Sequence, residues 1–512
     1  MTRQPNILLI QVDQLAASFL PAYGNTIAKT PHLDVLSERS VVFDSAYTNF
    51  SLCAPSRFSM MSGRLASEIG AYDNGAEFPS SIPTFAHYLC AAGYHTSLVG
   101  KMHFVGADQL HGFDERLTTD IYPSSFAWTG DWTQVREEHS NDSRTFERSG
   151  PYLRTAQMDY DDEVVHRARR KLYDLARGDG IDADQPWLLT ASFTHPHDPY
   201  QCRPEHWDLY APDEIDLPVV ARIPDAQADP HSLRLLFQYG LADIEPTEEQ
   251  VRRVRHGYYG SISYVDDLVG ELFSTLTETG LADHTVVVFT TDHGDMMGER
   301  GLWYKKSFFE GASRIPLMVS WPERFDAKRV GDNVSLVDLL PTFCDLAGRA
   351  DLVGSVDPLD GRSLVTLMET GADNRLDDII YAENLAEGAT APILMVKRGP
   401  LKMIVSGCDP EQLFDLDLDP NELNNVVKDA AYVDVAAELR ALVHTRWNIE
   451  ALNERVRESQ ARRHFLRAVA HRSGTPDWSH VPPDQPSSYV LRDDETYNDW
   501  AYGHNLESGA GS

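Results

Sequence analysis

The 512-residue chain is poor in cysteine, in positive charge and in long apolar runs. Its five cysteines, Cys53, Cys90, Cys202, Cys344 and Cys408, are odd in number, scattered, and contain no C-x-x-C pair, which excludes a disulfide framework. No stretch approaches the roughly 20 apolar residues of a membrane span. The N-terminal run Ile7–Ile10 is broken by Gln11 and Asp13, too early for a signal-peptide core. Lys and Arg number 45 against 78 Asp and Glu, a formal net charge of −33. That balance excludes the positive footprint a nucleic acid needs and disfavours polyanionic polymers as substrates. A cationic or zwitterionic small molecule is compatible with it. A reduced, cytoplasmic protein with no membrane and no nucleic-acid partner is expected.

What is present describes a folded protein: 42% of residues are apolar, 10% aromatic and 24% charged. At roughly 100–200 residues per domain there is room for two or three. Asn6 to Val12 is a nearly continuous apolar run that ends in Asp13-Gln14, as a buried parallel strand does. Similar runs recur at Thr96–Val99, Trp187–Phe193, Thr285–Thr290 and Ile315–Ser320, separated by segments able to hold helices. The alternation predicts an α/β sheet with helices on both faces. A capping box, Thr-Glu-Glu-Gln, at Thr247 opens a helix whose apolar residues run from Val251 to Leu276. A second helix is expected over Leu336 to Leu346, with a boundary near residue 375. Beyond it, Ile393–Lys397 and Leu401–Val405 flank Arg398-Gly399-Pro400 as a hairpin, followed by a charged helical stretch from Val433 to Ala470. This divides the chain into 1–375, a smaller α+β unit at 376–470, and a tail at 471–512. The tail's Trp478, Tyr489, Tyr497 and Trp500 suggest docking, on a neighbouring subunit or elsewhere.

In an open parallel sheet, ligands bind beyond the carboxyl ends of the strands. Asp13, His195 with His197, and Asp292 with His293 all follow a predicted strand end. Asp13, Gln14, Asp292 and His293 form an oxygen-rich set with one imidazole, suited to a hard divalent cation such as calcium, magnesium or manganese. Capping and turn formation are the structural alternative. Cys53-Ala54-Pro55-Ser56-Arg57 precedes a short apolar helix, and its cysteine is open to three readings: a buried small hydrophobe, a thiolate nucleophile, or a modification target.

Cys-X-Pro-X-Arg with the downstream Gly63-Arg64 resembles the signature of the type I, formylglycine-dependent sulfatases. The similarity runs from about residue 4 to residue 425. Within that family the runs Asp73–Phe78, Gly100–Gly106, Asp108–Phe113, Phe193–Tyr200 and Thr291–Lys305 are most similar to the choline-sulfatases, and Phe414 to Pro420 matches the family's C-terminal unit. The resemblance implies an alkaline-phosphatase-like α/β fold with a smaller C-terminal α+β subdomain. It implies that Cys53 is oxidised to formylglycine by a formylglycine-generating enzyme, and that the modified residue binds the metal with Asp13, Gln14, Asp292 and His293. Arg57, Lys101 and Lys305 are then the fixed positive charges around a sulfuryl group, the kind of preorganised charge such a transfer needs. His197 or Lys305 protonates the leaving alcohol, and His103 is the base that releases sulfate from residue 53. Asn74 is expected near the sulfate.

For the substrate, the resemblance implies choline sulfate. A trimethylammonium group makes no ordinary hydrogen bond and is held by aromatic faces and carboxylates. Trp128 and Glu383 match the ammonium-binding pair, and Asp494 is the candidate for an acid contributed by a partner's tail in a homo-oligomer, a dimer or a tetramer. Two rivals stand beside this reading. One is a phosphonate or phosphodiester monoester hydrolase, or an aryl sulfatase, with the same metal set. The other is an unmodified, catalytically silent metal-binding protein.

Overall fold

A computed structural model describes residues 4–133, 141–179, 181, 182, 184–372, 378–480, 491 and 496–503. Its centre is an eight-stranded sheet formed by β1 (Asn6–Val12), β2 (Val41–Tyr47), β3 (His95–Gly100), β4 (Glu115–Arg116), β6 (Trp187–Ser192), β8 (Thr285–Thr291), β9 (Leu317–Ser320) and β10 (Lys328–Ser335). The spatial order is β10-β2-β9-β8-β1-β6-β3-β4. The short pair β5 (Gly150–Pro151) and β7 (Gln201–Cys202) lies apart. Strand β1 runs parallel to β6 on one side and β8 on the other, and all seven of its residues are buried. A strand covered on both faces has no solvent side to alternate with, so its sequence reads as an unbroken apolar run.

The expected strands form within a residue or two of the stated positions, with one difference in direction. The run at Ile315–Ser320 becomes β9, which is antiparallel to both β8 and β2. After β8 the chain passes through the loop 292–316 and returns beside it, and a parallel return would need a full crossover. Strands β2 and β10, at the edge beyond β9, lack the continuous apolar pattern: the residues of β10 are KRVGDNVS. The helix Glu248–Glu278 starts at the expected capping box, with the Thr247 hydroxyl accepting from Gln250 N at 3.3 Å and Gln250 Oε1 accepting from Thr247 N at 2.9 Å. The second expected helix is Leu339–Leu346, led by a 3-10 turn at Leu336–Asp338.

The C-terminal unit is an antiparallel sheet, β11 (Ile379–Asn384), β12 (Ile393–Arg398), β13 (Leu401–Ser406) and β14 (Gln412–Asp415), in sequential order. The charged stretch forms two helices, Val433–Arg446 and Ile449–Ser473, separated at Trp447, whose backbone is extended. Residues 373–377, where the boundary was expected, lie outside the described set. The tail's Tyr497 and Trp500 are buried against this same chain, and Trp478 sits edge-on to Phe126 at 5.5 Å. Among the described residues no helix is long and apolar enough to cross a membrane.

Candidate active site

Four neighbouring parallel strands, β8, β1, β6 and β3, end on one edge of the sheet, and each delivers polar residues just past its last paired residue. Asp13 and Gln14 follow β1, Lys101 and His103 follow β3, His195 to Asp198 follow β6, and Asp292 and His293 follow β8. The turn out of β3 depends on Gly100: its φ is +101°, and a Cβ there would lie 1.9 Å from Ser192 O. Cys53 is the first residue of the buried helix Cys53–Ser62 and points into the same space.

One ligand atom each from Asp13, Cys53, Asp292 and His293 lies within 4.8 Å of the others, and all four residues are buried. Cys53 Sγ is 3.3 Å from His293 Nε2 and 4.0 Å from Asp13 Oδ1. Arg57, fully buried one helical turn on, donates from Nη2 to Asp13 Oδ2 at 2.8 Å and from Nε to Asp292 Oδ2 at 2.9 Å. Its Nη1 donates to Lys101 O and Ser192 Oγ. Lys101 Nζ also donates to Asp13 Oδ2. Burial pushes the Asp13 carboxyl up, yet Lys101, His197, Arg57 and His293 together outweigh it and hold it well below the usual carboxylate range. Two carboxylates, a neutral imidazole and the adjacent Gln14 amide are a hard donor set, and they fit a divalent cation bound through oxygen and one nitrogen.

Burial holds the imidazoles of His103, His197 and His293 below the ordinary histidine value, and the Lys305 ammonium pushes His197 and His293 further the same way. Lys305 Nζ lies 2.7 Å from His197 Nε2 and also donates to Gln14 Oε1. Burial disfavours its charge, but Cys53, Asp198, Asp13 and Asp292 more than compensate and raise its pKa. The pair is therefore a charged ammonium donating to a neutral imidazole. His103 is different: its buried ring nitrogens meet no polar side chain or carbonyl other than the Cys53 thiol among the described residues, and its φ is +62°. A strained backbone carrying a buried imidazole with spare hydrogen-bonding capacity beside Cys53 marks a candidate functional group. His195, in contrast, is fully used, with Nδ1 2.7 Å from Asp161 Oδ2 and Nε2 3.1 Å from Gln201 O.

The cavity at Cys53 is lined by Asn74, Tyr122, Trp128, Asn141, His197, Lys305, Lys306, Glu387 and Tyr497, besides Leu52 and Cys53. Asn74 and Trp128 are thus both on the wall of the cavity that holds Cys53. Glu383 is not: fully buried, it accepts from Ser67 N at 2.8 Å, from Ser67 Oγ and from Trp447 Nε1. Its carboxylate ties β11 to the C-terminal helices, and the acid on the cavity wall is Glu387, one turn of chain further, paired with Lys306 at 2.6 Å. Asp494 lies outside the described residues. Sequence reading also passed over Asp198, whose carboxyl is pushed up to about 7 by burial against the pull of Lys305, and which joins Gln14, Asn141 and His197. Its place next to His197 in FTHPHDPY was the available signal. Tyr122 and Tyr497, which flank His197, carry no local pattern at all.

Comparison with known proteins gives this edge a lineage. The family described as Sulfatase matches residues 5–349, and that described as N-sulphoglucosamine sulphohydrolase, C-terminal, matches residues 298–448. A choline-sulfatase of Rhizobium meliloti is 44% identical over 503 residues, 96% of each chain. An arylsulfatase of Clostridium perfringens is 27% identical and covers 86% of this chain and 94% of its own. The solved phosphonate monoester hydrolase of Agrobacterium radiobacter superposes with a TM-score of 0.68 at 24% identity, covering 86% of this chain and 95% of its own, a likeness of fold. Because the matched span holds Asp13, Cys53, Arg57, Lys101, His103, Asp292 and His293 together, the chain belongs to the sulfatase family and is a sulfuric ester hydrolase.

Proposed function

We propose that the enzyme hydrolyses choline sulfate to choline and sulfate through a formylglycine at position 53 and a bound divalent cation, calcium by preference. One observation carries the reading. The cavity that places Lys305 and Lys306 beside Cys53 is also lined by Tyr122, Trp128 and Tyr497 and by the carboxylate Glu387. Fixed cations suit a sulfate, and aromatic faces with one acid suit a trimethylammonium. The 44%-identical relative named choline-sulfatase supports the same substrate.

Asp13, Gln14, Asp292, His293 and residue 53 would hold the cation, whose Lewis acidity stabilises negative charge on oxygens bound there. Oxidation of Cys53 would replace a thiol by an aldehyde whose hydrate offers a hydroxyl nucleophile at the start of a helix. Around these, Arg57 fixes both carboxylates and Lys101 adds charge to Asp13. The Lys305–His197 pair holds a proton 2.7 Å from donor to acceptor, available to an alkoxide leaving the sulfur. His103, held neutral by burial and with the Cys53 thiol as its hydrogen-bonding neighbour, would take the proton from residue 53. A cytoplasmic, oligomeric enzyme matured by a formylglycine-generating partner completes the proposal.

The test is kcat/KM on choline sulfate, an aryl sulfate and an aryl phosphonate ester, with mass spectrometry of the peptide around Cys53. A large preference for choline sulfate by enzyme carrying the aldehyde is expected. A phosphonate preference returns Trp128 and Glu387 to packing roles, and a thiol at 53 in the natural host with no turnover makes the protein a silent relative.

A further inference from the structure

The helix Ile449–Ser473 buries Leu452, Val456, Gln460 and Arg463 on one face. The first two are ordinary packing. The last two, with His464, form a polar grip at positions i, i+3 and i+4, where helical side chains share a face. Gln460 Oε1 accepts from Trp132 N at 2.9 Å, and His464 Nε2 is 2.9 Å from Gly130 O. Arg463, only 5% exposed, donates from both terminal nitrogens to Asp73, one of them at 2.9 Å, and from Nη1 to Thr129 Oγ1 at 3.1 Å. All three residues therefore hold one loop, Thr129 to Trp132, and the turn beginning at Asp73.

That turn carries Asn74 and that loop follows directly on Trp128, both of which line the cavity at Cys53. Asp73, fully buried, accepts from Gly75 N at 3.0 Å and from Gly130 N at 3.2 Å, so its carboxylate bridges the segments on either side of the cavity wall. At Gly75 the two backbones touch: a Cβ would lie 2.4 Å from Thr129 N and 2.7 Å from the Trp128 carbonyl carbon. Asn74 Oδ1 accepts from Ala54 N at 3.0 Å, beside Cys53. Trp128 precedes Thr129 directly, with its ring edge-on to Tyr122 at 5.0 Å and to His103 at 5.4 Å.

We propose that Arg463 is a positioning residue for substrate selectivity: its fork on Asp73 and Thr129 sets Trp128 against Asn74, and so makes the C-terminal helix part of the alcohol pocket. A guanidinium matches a carboxylate with two parallel bonds and carries a third to Thr129, and a lysine supplies the charge without the fork. No hydrogen bond or ion pair joins Arg463 to Asp13, Arg57, Lys101, Asp292 or His293. Its loss frees Trp128, while Asn74, beside the sulfate end, keeps its own bond from Ala54 N, so the pocket changes shape and the sulfuryl chemistry stays in place. The inference rests on the choline-pocket reading for the identity of the alcohol, not for the existence of the clamp.

The experiment compares wild type, Arg463→Lys, His464→Ala, Trp128→Ala and the Arg463→Lys/Trp128→Ala double variant, all with residue 53 converted. It uses choline sulfate and 4-nitrophenyl sulfate. Arg463→Lys is expected to raise KM for choline sulfate about 5- to 10-fold with kcat within about 2-fold, and to leave kcat/KM on the aryl ester within about 2-fold. In the Trp128→Ala background the same change should add less than about 2-fold, because the effect passes through that ring. His464→Ala, which removes one loop contact and no charge partner, should move KM the same way by a smaller factor and serves if Arg463→Lys fails to fold. Equal losses on both esters, or losses that multiply in the double variant, overturn the inference. The cycle is read on whichever ester the wild type prefers, so a wild type that prefers another ester refutes the choline reading while the cycle still decides on Arg463.

Discussion

The two sides of the cavity, sulfate and alcohol in the reading proposed above, are built differently. The sulfate side stands on the ends of β1, β3, β6 and β8 and on the helix behind Cys53, and its charged groups are satisfied by one another through Arg57 and Lys101. The alcohol side is borrowed from the 120–132 segment, from Glu387 after β11 and from Tyr497 in the tail, all brought in by distant contacts. Strand ends in a parallel sheet are fixed by the whole ladder, whereas loops move with what packs behind them. The same scaffold can therefore keep one reaction while the alcohol it accepts changes.

The largest effect should come from breaking the sulfate side. Arg57→Ala leaves the buried Asp13 and Asp292 short of a partner, and losing one member of such a network costs about 3–5 kcal/mol. Activity should fall about 100- to 1000-fold on choline and aryl esters alike, as for a lost group that fixes transition-state charge. Denaturant unfolding and kcat/KM read the two. A loss confined to one ester would erase the distinction between the sides. Trp128→Ala should act on the other side alone. A desolvated cation–π contact of about 2 kcal/mol converts to a KM for choline sulfate raised about 30-fold, with the aryl ester within about 3-fold.

A paired substitution separates the two acids near β11. Glu387→Gln should raise KM for choline sulfate about 3- to 10-fold and also lower the midpoint of unfolding, because it removes the carboxylate that pairs with the buried Lys306 ammonium. Glu383→Gln should lower the midpoint and leave KM nearly unchanged, because the amide presents one acceptor where Ser67 and Trp447 use both carboxylate oxygens, costing about 1–3 kcal/mol. If Glu383→Gln raised KM and spared stability, the placement of the acids would have to be exchanged.

How legible each side was in the sequence follows from the same contrast. Asp13, Asp292 and His293 announce themselves, since an apolar run that stops at an acid marks a strand end, and Cys53 to Arg57 are adjacent in a short motif. Glu383 comes from the resemblance alone, and no local pattern tells it from Glu387: the end of its strand meets Ser67 and Trp447, and the next turn of chain lines the cavity. Nothing within ten residues of Asp73 points to Arg463, and Tyr497 meets His197 only after the tail has docked. The antiparallel run of β9 was hidden for a related reason: direction is set by where the loop 292–316 leads, which no local pattern records. Chemistry held by local elements was readable, and selection held by tertiary contacts was not.

Acidity offers the finest test of the separation. Burial, aided by Lys101 at His103 and by Lys305 at His197, holds both imidazoles below their ordinary value, so each keeps its neutral form to a pH lower than a free histidine would. A group that must be neutral to act loses activity as pH falls through its own depressed pKa. The acid limb that these imidazoles impose on kcat/KM should therefore begin below about pH 6.5, the unperturbed histidine value, apart from the titration of Asp198, whose carboxyl beside His197 is pushed up to about 7. A bound cation pushes these imidazoles the same way. On the alcohol side no group that titrates in this range is required: the trimethylammonium keeps its charge, and the hydroxyls of Tyr122 and Tyr497 are raised well above 10 by burial. Both esters should then lose rate together on the acid side, with the ratio of their kcat/KM values constant. If that ratio follows the titration, the imidazoles take part in selecting the alcohol and the two sides work as one.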